Sequence, residues 1–540
     1  MRNRLPGSFI ATGNLPNATT AYKKDPLSSL FSICDGAMQY NDRVFMYGDR
    51  LVRVNLNWIR DYMLTVKGFR YTERDLTSFP DLLLEHQHES GFFYEIVAPV
   101  TDMHSGVPLC GNPPTRLVEP PYSLLEPGNK FGLCRLELEA DIEYLMVEGC
   151  ELIWQATGDD EWLLRQLPRL ERGLQYMMTS PIRWDTTYGL VKRPHTLDTW
   201  DFTDRKSSGT DRMIRPEDPM GIFHGDNTGL YNALQRLARM VRRFGDEAKA
   251  QRLEETAAAL RERIMRHLWN GSFFRHFLML DEADYGQDET WQMSLSNSYA
   301  LNRGILTLEQ RKSVLAAYRA CREKYKGELD DFRNLEPPFA VFMGMKAGAY
   351  VNGANAPFVA GQLATAAFDC GEETYGADIL NRIGCKFLRD GKVSFLYDWN
   401  ENDIGGGPRC WCGAEVMGAM TAGLAGVSDE DKLFRKVTLS PRFAAAGEDH
   451  AYVRLEYAAS GAAVEYEWRG AADGSSADFT LVSEHDACRL RMYLPDGRRP
   501  ARVTVGGVEA PFRTELVGDS AYAVVEDVPT GADVHVEAQP

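Results

Sequence analysis

Apolar residues along 228–241 recur three and four apart, with Leu230, Leu234, Leu237 and Val241 on one face; Leu253, Ala257, Leu260, Ile264 and Leu268 repeat the pattern in 253–268. That spacing predicts amphipathic helices. Ile142, Leu145, Met146, Ile153 and Trp154 form a third stripe. A punctuation mark separates such stripes: "ATGDDEW" (156–162), "RFGDEAKA" (243–250) and "DCGEETYG" (369–376). At each one a periodic segment stops at Gly158, Gly245 or Gly371, and an acidic pair opens the next. Glycine accepts the left-handed conformation that ends a helix, and acidic residues in the following first turn complement the next dipole. Three αα-hairpins are predicted. Further helices are predicted over 52–65, 75–88, 160–179, 290–303, 308–325, 355–369, 374–389 and 411–424.

Near 433 the period changes to two. Val453, Leu455 and Tyr457, then Val464, Tyr466 and Trp468, then Leu490, Met492 and Leu494 alternate with polar residues, and turns such as "PDG" (495–497) separate the runs. This predicts an all-β sandwich over 433–540, structural in role. Residues 1–30 are rich in Pro, Asn and Thr and are expected to form an irregular lead-in. The helical domain therefore covers 31–432. Its helices come in consecutive pairs, and the marks lie 87 and then 126 residues apart. A constant period would favour an open solenoid; unequal spacing with long aromatic loops favours closure into an all-α (α/α)6 toroid.

Charge narrows the partners. Sixty basic against 77 acidic residues leave a net charge of −17, so neither nucleic acid nor an anionic membrane is expected as partner. No apolar run has signal-peptide or membrane-span length, and a cytoplasmic location is expected. The ten cysteines are scattered, and neither Cys410/Cys412 nor His86/His88 has a second ligand pair nearby. No metal and no cofactor are therefore expected. There is neither a phosphate-binding glycine loop with lysine nor a G-x-S-x-G elbow, which speaks against nucleotide and serine chemistry.

The stretches left over combine carboxylates with aromatic rings. "DTWDFTDR" (198–205) holds Asp198, Asp201 and Asp204 around Trp200 and Phe202. "NWIRDYM" carries Arg60-Asp61; "YVNGANAP" (350–357) contains Asn352; "NENDIGGGPRCWCGAE" (400–415) precedes a predicted helix. These four segments resemble, in order and rough spacing, the motifs of six-hairpin glycosidases, closest to the trehalase and processing α-glucosidase group. "DTWDFTDR" resembles that group's S-G-W-D-F-S-S-R, and "YVNGANAP" its Y-P-N-G-W-A-P.

The resemblance implies a glycoside hydrolase acting by inversion, with Asp201 as general acid and a carbohydrate as substrate. Such an enzyme needs a protonated carboxyl at the leaving oxygen and an ionised one at the attacking water. In the family pattern the base is the glutamate of an E-K-Y-N-like stretch, and here Tyr397 stands at that place. Glu401 is the first substitute and Asp398 the second, with Glu336 and Glu415 further afield. Arg60, Asp61, Asp198, Asp204, Asp226, Asn227 and Asn352 are candidates for sugar hydroxyls. Trp200, Trp399 and Trp411 offer flat rings for sugar faces, as do Trp58 and Trp291 beside the motifs. Asp226 and Asn227 also fit a plain helix N-cap. An α-L-rhamnosidase-like hydrolase of the same fold is the alternative specificity. A carbohydrate-binding protein that has lost hydrolysis is the alternative function. The reading allows for a homo-oligomer.

Overall fold

The computed structural model of the chain describes residues 7–12, 26–100, 121–198, 213–483 and 487–540. Its helices, in chain order, are α1 (Pro26–Asn41), α2 (Ile59–Phe69), α3 (Ser78–Glu85), α4 (Ile142–Thr157), α5 (Asp160–Thr179), α6 (His224–Arg243), α7 (Glu247–Leu268), α8 (Ser296–Ala300), α9 (Leu308–Tyr325), α10 (Pro357–Asp369), α11 (Glu373–Asp390) and α12 (Cys410–Gly418), which runs on as a π-turn over Ala419–Leu424. Among the described residues no helix is long and apolar enough to cross a membrane.

Six of these helices, α2, α4, α6, α8, α10 and α12, contact one another in sequence, and α12 packs back against α2. They are buried over most of their length. The first eleven residues of α6 are all buried, whereas α7, which lies outside it, buries only Ala250, Ala257, Leu260, Ile264 and Leu268. That stripe is the predicted one except that Leu253 is only partly covered. α5 packs on α4 and α6, α7 on α6, α11 on α10, and α1 on α12 and α2, as a second layer.

The punctuation marks have the expected chemistry. Gly158 caps α4 in the left-handed conformation, and Asp159 then accepts from Trp162 N at the start of α5. Asp246 does the same for Lys249 N at the start of α7. At the third mark, Glu373 instead accepts from Ser520 Oγ (2.6 Å) and from the Tyr522 hydroxyl of the β-rich region. Gly371 meets Val517 there and Gly158 meets Leu433, each so closely that a Cβ would collide. The short turns thus form the floor on which the β-rich region sits. The long connections emerge at the other end.

Two predicted helices differ. Arg50–Asn55 is a strand paired with Asp42–Tyr47, because Val52 and Val54 alternate inward while Leu51 and Arg53 face out. Only Ser296–Ala300 of 290–303 forms an α-helix; Glu289–Trp291 is a 3-10 turn and Met293–Ser294 a strand paired with Leu335–Glu336.

The C-terminal region is β-rich, with two sheets. One orders Phe9–Thr12, His450–Glu456, Ala463–Gly470, Ser476–Leu481, Asp533–Gln539, Arg499–Val505 and Val508–Glu509; the other orders Val427–Asp429, Val437–Leu439, Ala487–Leu494, Ser520–Pro529 and Arg513–Val517. The alternating residues named from the sequence are buried. Within the lead-in read as irregular, Phe9–Thr12 is an edge strand registered against Ala451–Arg454. The β pattern begins at Val427, ahead of 433, in a three-residue strand too short for a period to show.

Candidate active site at the mouth of the helical ring

The inner helices all begin at the end where the long connections emerge, and the first turns of α2, α4 and α6 carry charge. Arg60 sits in the first turn of α2 with 7% exposure. Its guanidinium forks onto Asp141, the residue before α4, through Nε (2.6 Å) and Nη2 (2.9 Å), and it also pairs with Glu139. Burial works to raise the Asp141 carboxyl, but Arg60 outweighs it and holds the group below its ordinary value. Arg60, Asp141, Tyr144, Ser296, Arg303 and Trp411 line a cavity of about 20 Å³, room for about one water molecule. Trp411, expected to stack on sugar, is buried; its ring lies 4.5 Å from that of Phe358 and its indole N–H donates to the Tyr299 hydroxyl (2.8 Å).

Asp226, in the first turn of α6, has no exposure. Arg193 stands 3.7 Å away, yet neither carboxylate oxygen accepts a hydrogen bond. Burial lifts this carboxyl to about 6; the negative charges of Asp141 and Asp198 add to the push while Arg193 opposes it. A buried acid that keeps its proton into the working pH range is the kind of group found where proton transfer or hydroxyl recognition takes place. Its neighbour Asn227 is turned to structure. Its amide accepts from Val191 N (2.8 Å) and donates to Val191 O (3.0 Å) and Phe223 O (2.7 Å), pinning a strand to the helix.

Trp200, Asp201 and Asp204 lie outside the described residues. Asp198, the residue at the described edge of that segment, is 2% exposed and has φ of 57°. Its N–H donates to His276 Nε2 (3.2 Å), its carbonyl accepts from Thr196 Oγ1 (2.7 Å), and its carboxylate accepts from Ser296 N (3.1 Å) and Ser296 Oγ. Burial would raise the Asp198 carboxyl, but His224, His276, Ser294 and Ser296 hold it below the ordinary value. Behind it lies a buried chain. His276 Nδ1 contacts Glu289 Oε2 (3.0 Å) and Gln292 Oε1 (2.5 Å), and His195 Nε2 bonds Glu289 Oε1 (2.9 Å). Burial works to raise Glu289, but the two imidazoles bring it down to about 2.

The opposite flank is built differently. Tyr397, at the place of the family's base, is buried and donates its hydroxyl to Asp390 (2.9 Å). Asp398 closes a local turn, accepting from Asn400 N (2.9 Å), Asn402 N (2.9 Å) and Asn402 Nδ2 (3.0 Å); although burial works to raise its carboxyl, these bonds hold it below the ordinary value. Glu401 follows at φ of 60°, half-buried, with its carboxylate 4.0 Å from Arg389 at the end of α11. Trp399 is exposed; its indole N–H donates to Gly353 O (2.7 Å) and the Arg333 guanidinium lies 4.7 Å over its ring. Arg333 pairs with Asp330 (3.1 Å) and Glu336 (3.2 Å). Asn352 accepts from Phe339 N (3.0 Å) and donates to Phe339 O (3.0 Å) and Met345 O (3.0 Å), fixing a loop.

Arg60 and Asp226 therefore lie in the first turns of inner helices, Asp198 is bonded to the first residue of a third, and Asp61 is beside Arg60 in α2. Glu401, Asp398 and Trp399 lie together on the connection into α12. Glu415 is inside the ring, bonded to Lys67, Gln362 and Tyr299. Reasoning from the sequence missed His195, His276, Glu289, Ser296, Asp141 and Arg193. The one signal available was "DETWQMSLSNS" (288–298), a polar run inside an expected helix.

The sequence matches no protein-family model and no curated protein. Solved structures share its fold. The GH78 family rhamnosidase of Bacillus sp. GL1 superposes with a TM-score of 0.55 at 14% identity, over 91% of this chain and 43% of its own. The α-L-rhamnosidase from Dictyoglumus thermophilum gives 0.57 at 12% identity, over 98% of this chain and 50% of its own. The GH63 mannosylglycerate hydrolase from Thermus thermophilus, in complex with Tris, gives 0.50 at 14% identity, over 72% of this chain and 100% of its own. The chain spans half or less of the length of these rhamnosidases. At such identities the likeness is one of fold, and the fold is shared with glycoside hydrolases.

Proposed function

We propose that this protein is a six-hairpin glycoside hydrolase whose helical ring is an (α/α)6 barrel and which cleaves a glycosidic bond with inversion. The observation that carries this reading is convergence. Arg60 and Asp61, the lead-in to "DTWDFTDR", the start of α6, the Asn352 loop and the connection into α12 are far apart in sequence, and all adjoin inner-helix starts at the mouth. In this reading Asp201 protonates the leaving oxygen, and Glu401 activates water from the other flank. Of the three acids on the α12 connection, Asp398 and Asp403 accept from backbone N–H groups of their own turns, and Glu401 is the one not so engaged. Inversion places the two carboxyl groups about 6.5–9.5 Å apart when substrate is bound. Asp61, Asp226 and Trp399 are the sugar contacts best supported by their position.

A panel of disaccharides and of alkyl and aryl glycosides, followed by NMR for the anomer first released, tests the proposal. Hydrolysis with an inverted first product supports it; a retained product sinks the mechanism. Sugar binding measured by calorimetry with no turnover of any glycoside would instead identify a binding protein, the outcome that Tyr397 at the expected base position would favour.

Rhamnoside specificity is the second reading. It is favoured by the extent of the superposition, which covers 91–98% of this chain, including its β-rich region, for the rhamnosidases and 72% for the mannosylglycerate hydrolase. Comparing turnover of an α-L-rhamnoside with that of α-glucosides decides it.

A further inference from the structure

We propose that His276, held by Glu289 and Gln292, is a positioning residue that fixes the backbone at Asp198 and so the point from which the acid-bearing stretch departs. The inference rests on the reading of Asp201 as the general acid. It begins from a strained residue. A left-handed backbone is unfavourable for residues other than glycine, and at a site such strain persists only where the surroundings over-determine it. Asp198, at φ of 57°, meets that condition: its N–H, its carbonyl and both carboxylate oxygens are all bonded, to His276, Thr196 and Ser296.

Of these partners Thr196 is local, and Ser296 takes the side chain. His276 takes the main chain, from a connection 78 residues away. Because Nε2 accepts the Asp198 N–H, the imidazole proton sits on Nδ1, where Gln292 Oε1 (2.5 Å) receives it and the Glu289 carboxylate lies 3.0 Å away. Glu289 is in turn held by His195 (2.9 Å), and Gln292 donates to Pro337 O (2.8 Å). One imidazole thus ties together the connections that precede α6, α8 and α10. Both histidines are completely buried, so the tie is rigid, as a group that must place an acid within hydrogen-bond reach of a leaving oxygen should be.

The test compares the full-length protein with His276→Leu, which removes the acceptor, and His276→Gln, whose amide oxygen can restore it. Each is assayed on a methyl glycoside and a 2,4-dinitrophenyl glycoside of the same sugar. An aryl leaving group of that kind departs without a proton, so displacing the acid harms only the methyl glycoside. His276→Leu is expected to lower kcat on the methyl glycoside at least about tenfold and on the dinitrophenyl glycoside less than about threefold, with KM nearly unchanged and most of the loss recovered in His276→Gln. Equal losses on both substrates, or none, overturn the proposal. Asp201→Asn is run alongside: a mutant showing no leaving-group dependence refutes the acid assignment rather than the tie. Amide exchange of a peptide ending at Asp198 reads the tie independently of turnover. It should rise at least about tenfold in His276→Leu; unchanged exchange overturns the proposal whatever the activity shows.

Discussion

The two flanks of the mouth are made in opposite ways. On one, Asp198, His195, His276, Glu289 and Ser296 come from two connections and the start of α8, are almost wholly buried and bond to one another. On the other, Asp398 bonds to residues two and four ahead of it, and Glu401 and Asp403 face Arg389 and Lys392 at the edge of α11. The first flank is set by tertiary contacts, the second by a local turn. Proton donation to a leaving group requires a fixed geometry, whereas activating water requires mainly an ionised carboxylate beside an open path. Under the proposed assignment of Asp201 and Glu401, the difference between the flanks matches that division of labour, and substitutions on each can break it.

The largest effect is expected at Asp201. Asp201→Asn should lower kcat on unactivated glycosides about a thousandfold, read by initial rates; a near-wild-type rate would remove the tertiary flank from the chemistry. Glu401→Gln should follow, with a loss of about a hundredfold that added azide partly restores by supplying the nucleophile. A loss that azide leaves untouched would assign the base elsewhere.

A smaller effect separates the flanks by pH. Asp226 has a carboxyl raised from 3.8 to about 6 by burial. Folded protein therefore holds this proton while the unfolded chain releases it, and stability falls as pH rises through that window, by about 3 kcal/mol in all. Asp226→Asn should abolish this part of the slope. Denaturant titrations at pH 4 and pH 7 should thus show a stability difference between variant and wild type that shifts in the variant's favour at pH 7. The smallest effect is expected at Asp398. Asp398→Asn weakens a half-exposed turn and should cost about 1 kcal/mol or less, with activity altered far less than by Glu401→Gln.

How much of this could be read in the chain depended on how far apart the interacting residues lie. The hairpin turns were legible because a glycine and the acid beside it act within a few residues: Gly158 and Asp159 do at the start of α5 what the letters suggest. The third mark was legible as a turn, yet Glu373 serves the β-rich region rather than its helix end. The motif segments could be recognised, but Asn227 and Asn352, which looked like sugar ligands, hold loops, because an amide can satisfy buried backbone as readily as a hydroxyl. His276 gave no sign, since Asp198 lies 78 residues away, and Glu289 showed only as part of a polar run, its partner His195 lying 94 residues away.

By itself the sequence determined the alternation of helices, the change of period to strands, and which stretches combine acids with aromatic rings, because periodicity and capping are short-range properties of the chain. Only the tertiary structure decided which helices form the inner ring, that the lead-in strand Phe9–Thr12 joins the C-terminal sheet, and which polar groups meet at the mouth. Those outcomes depend on burial and on contacts between distant connections. They also set the charge state of each acid, since Asp226, Asp198 and Glu289 are all carboxylates of ordinary chemistry moved in different directions by what surrounds them.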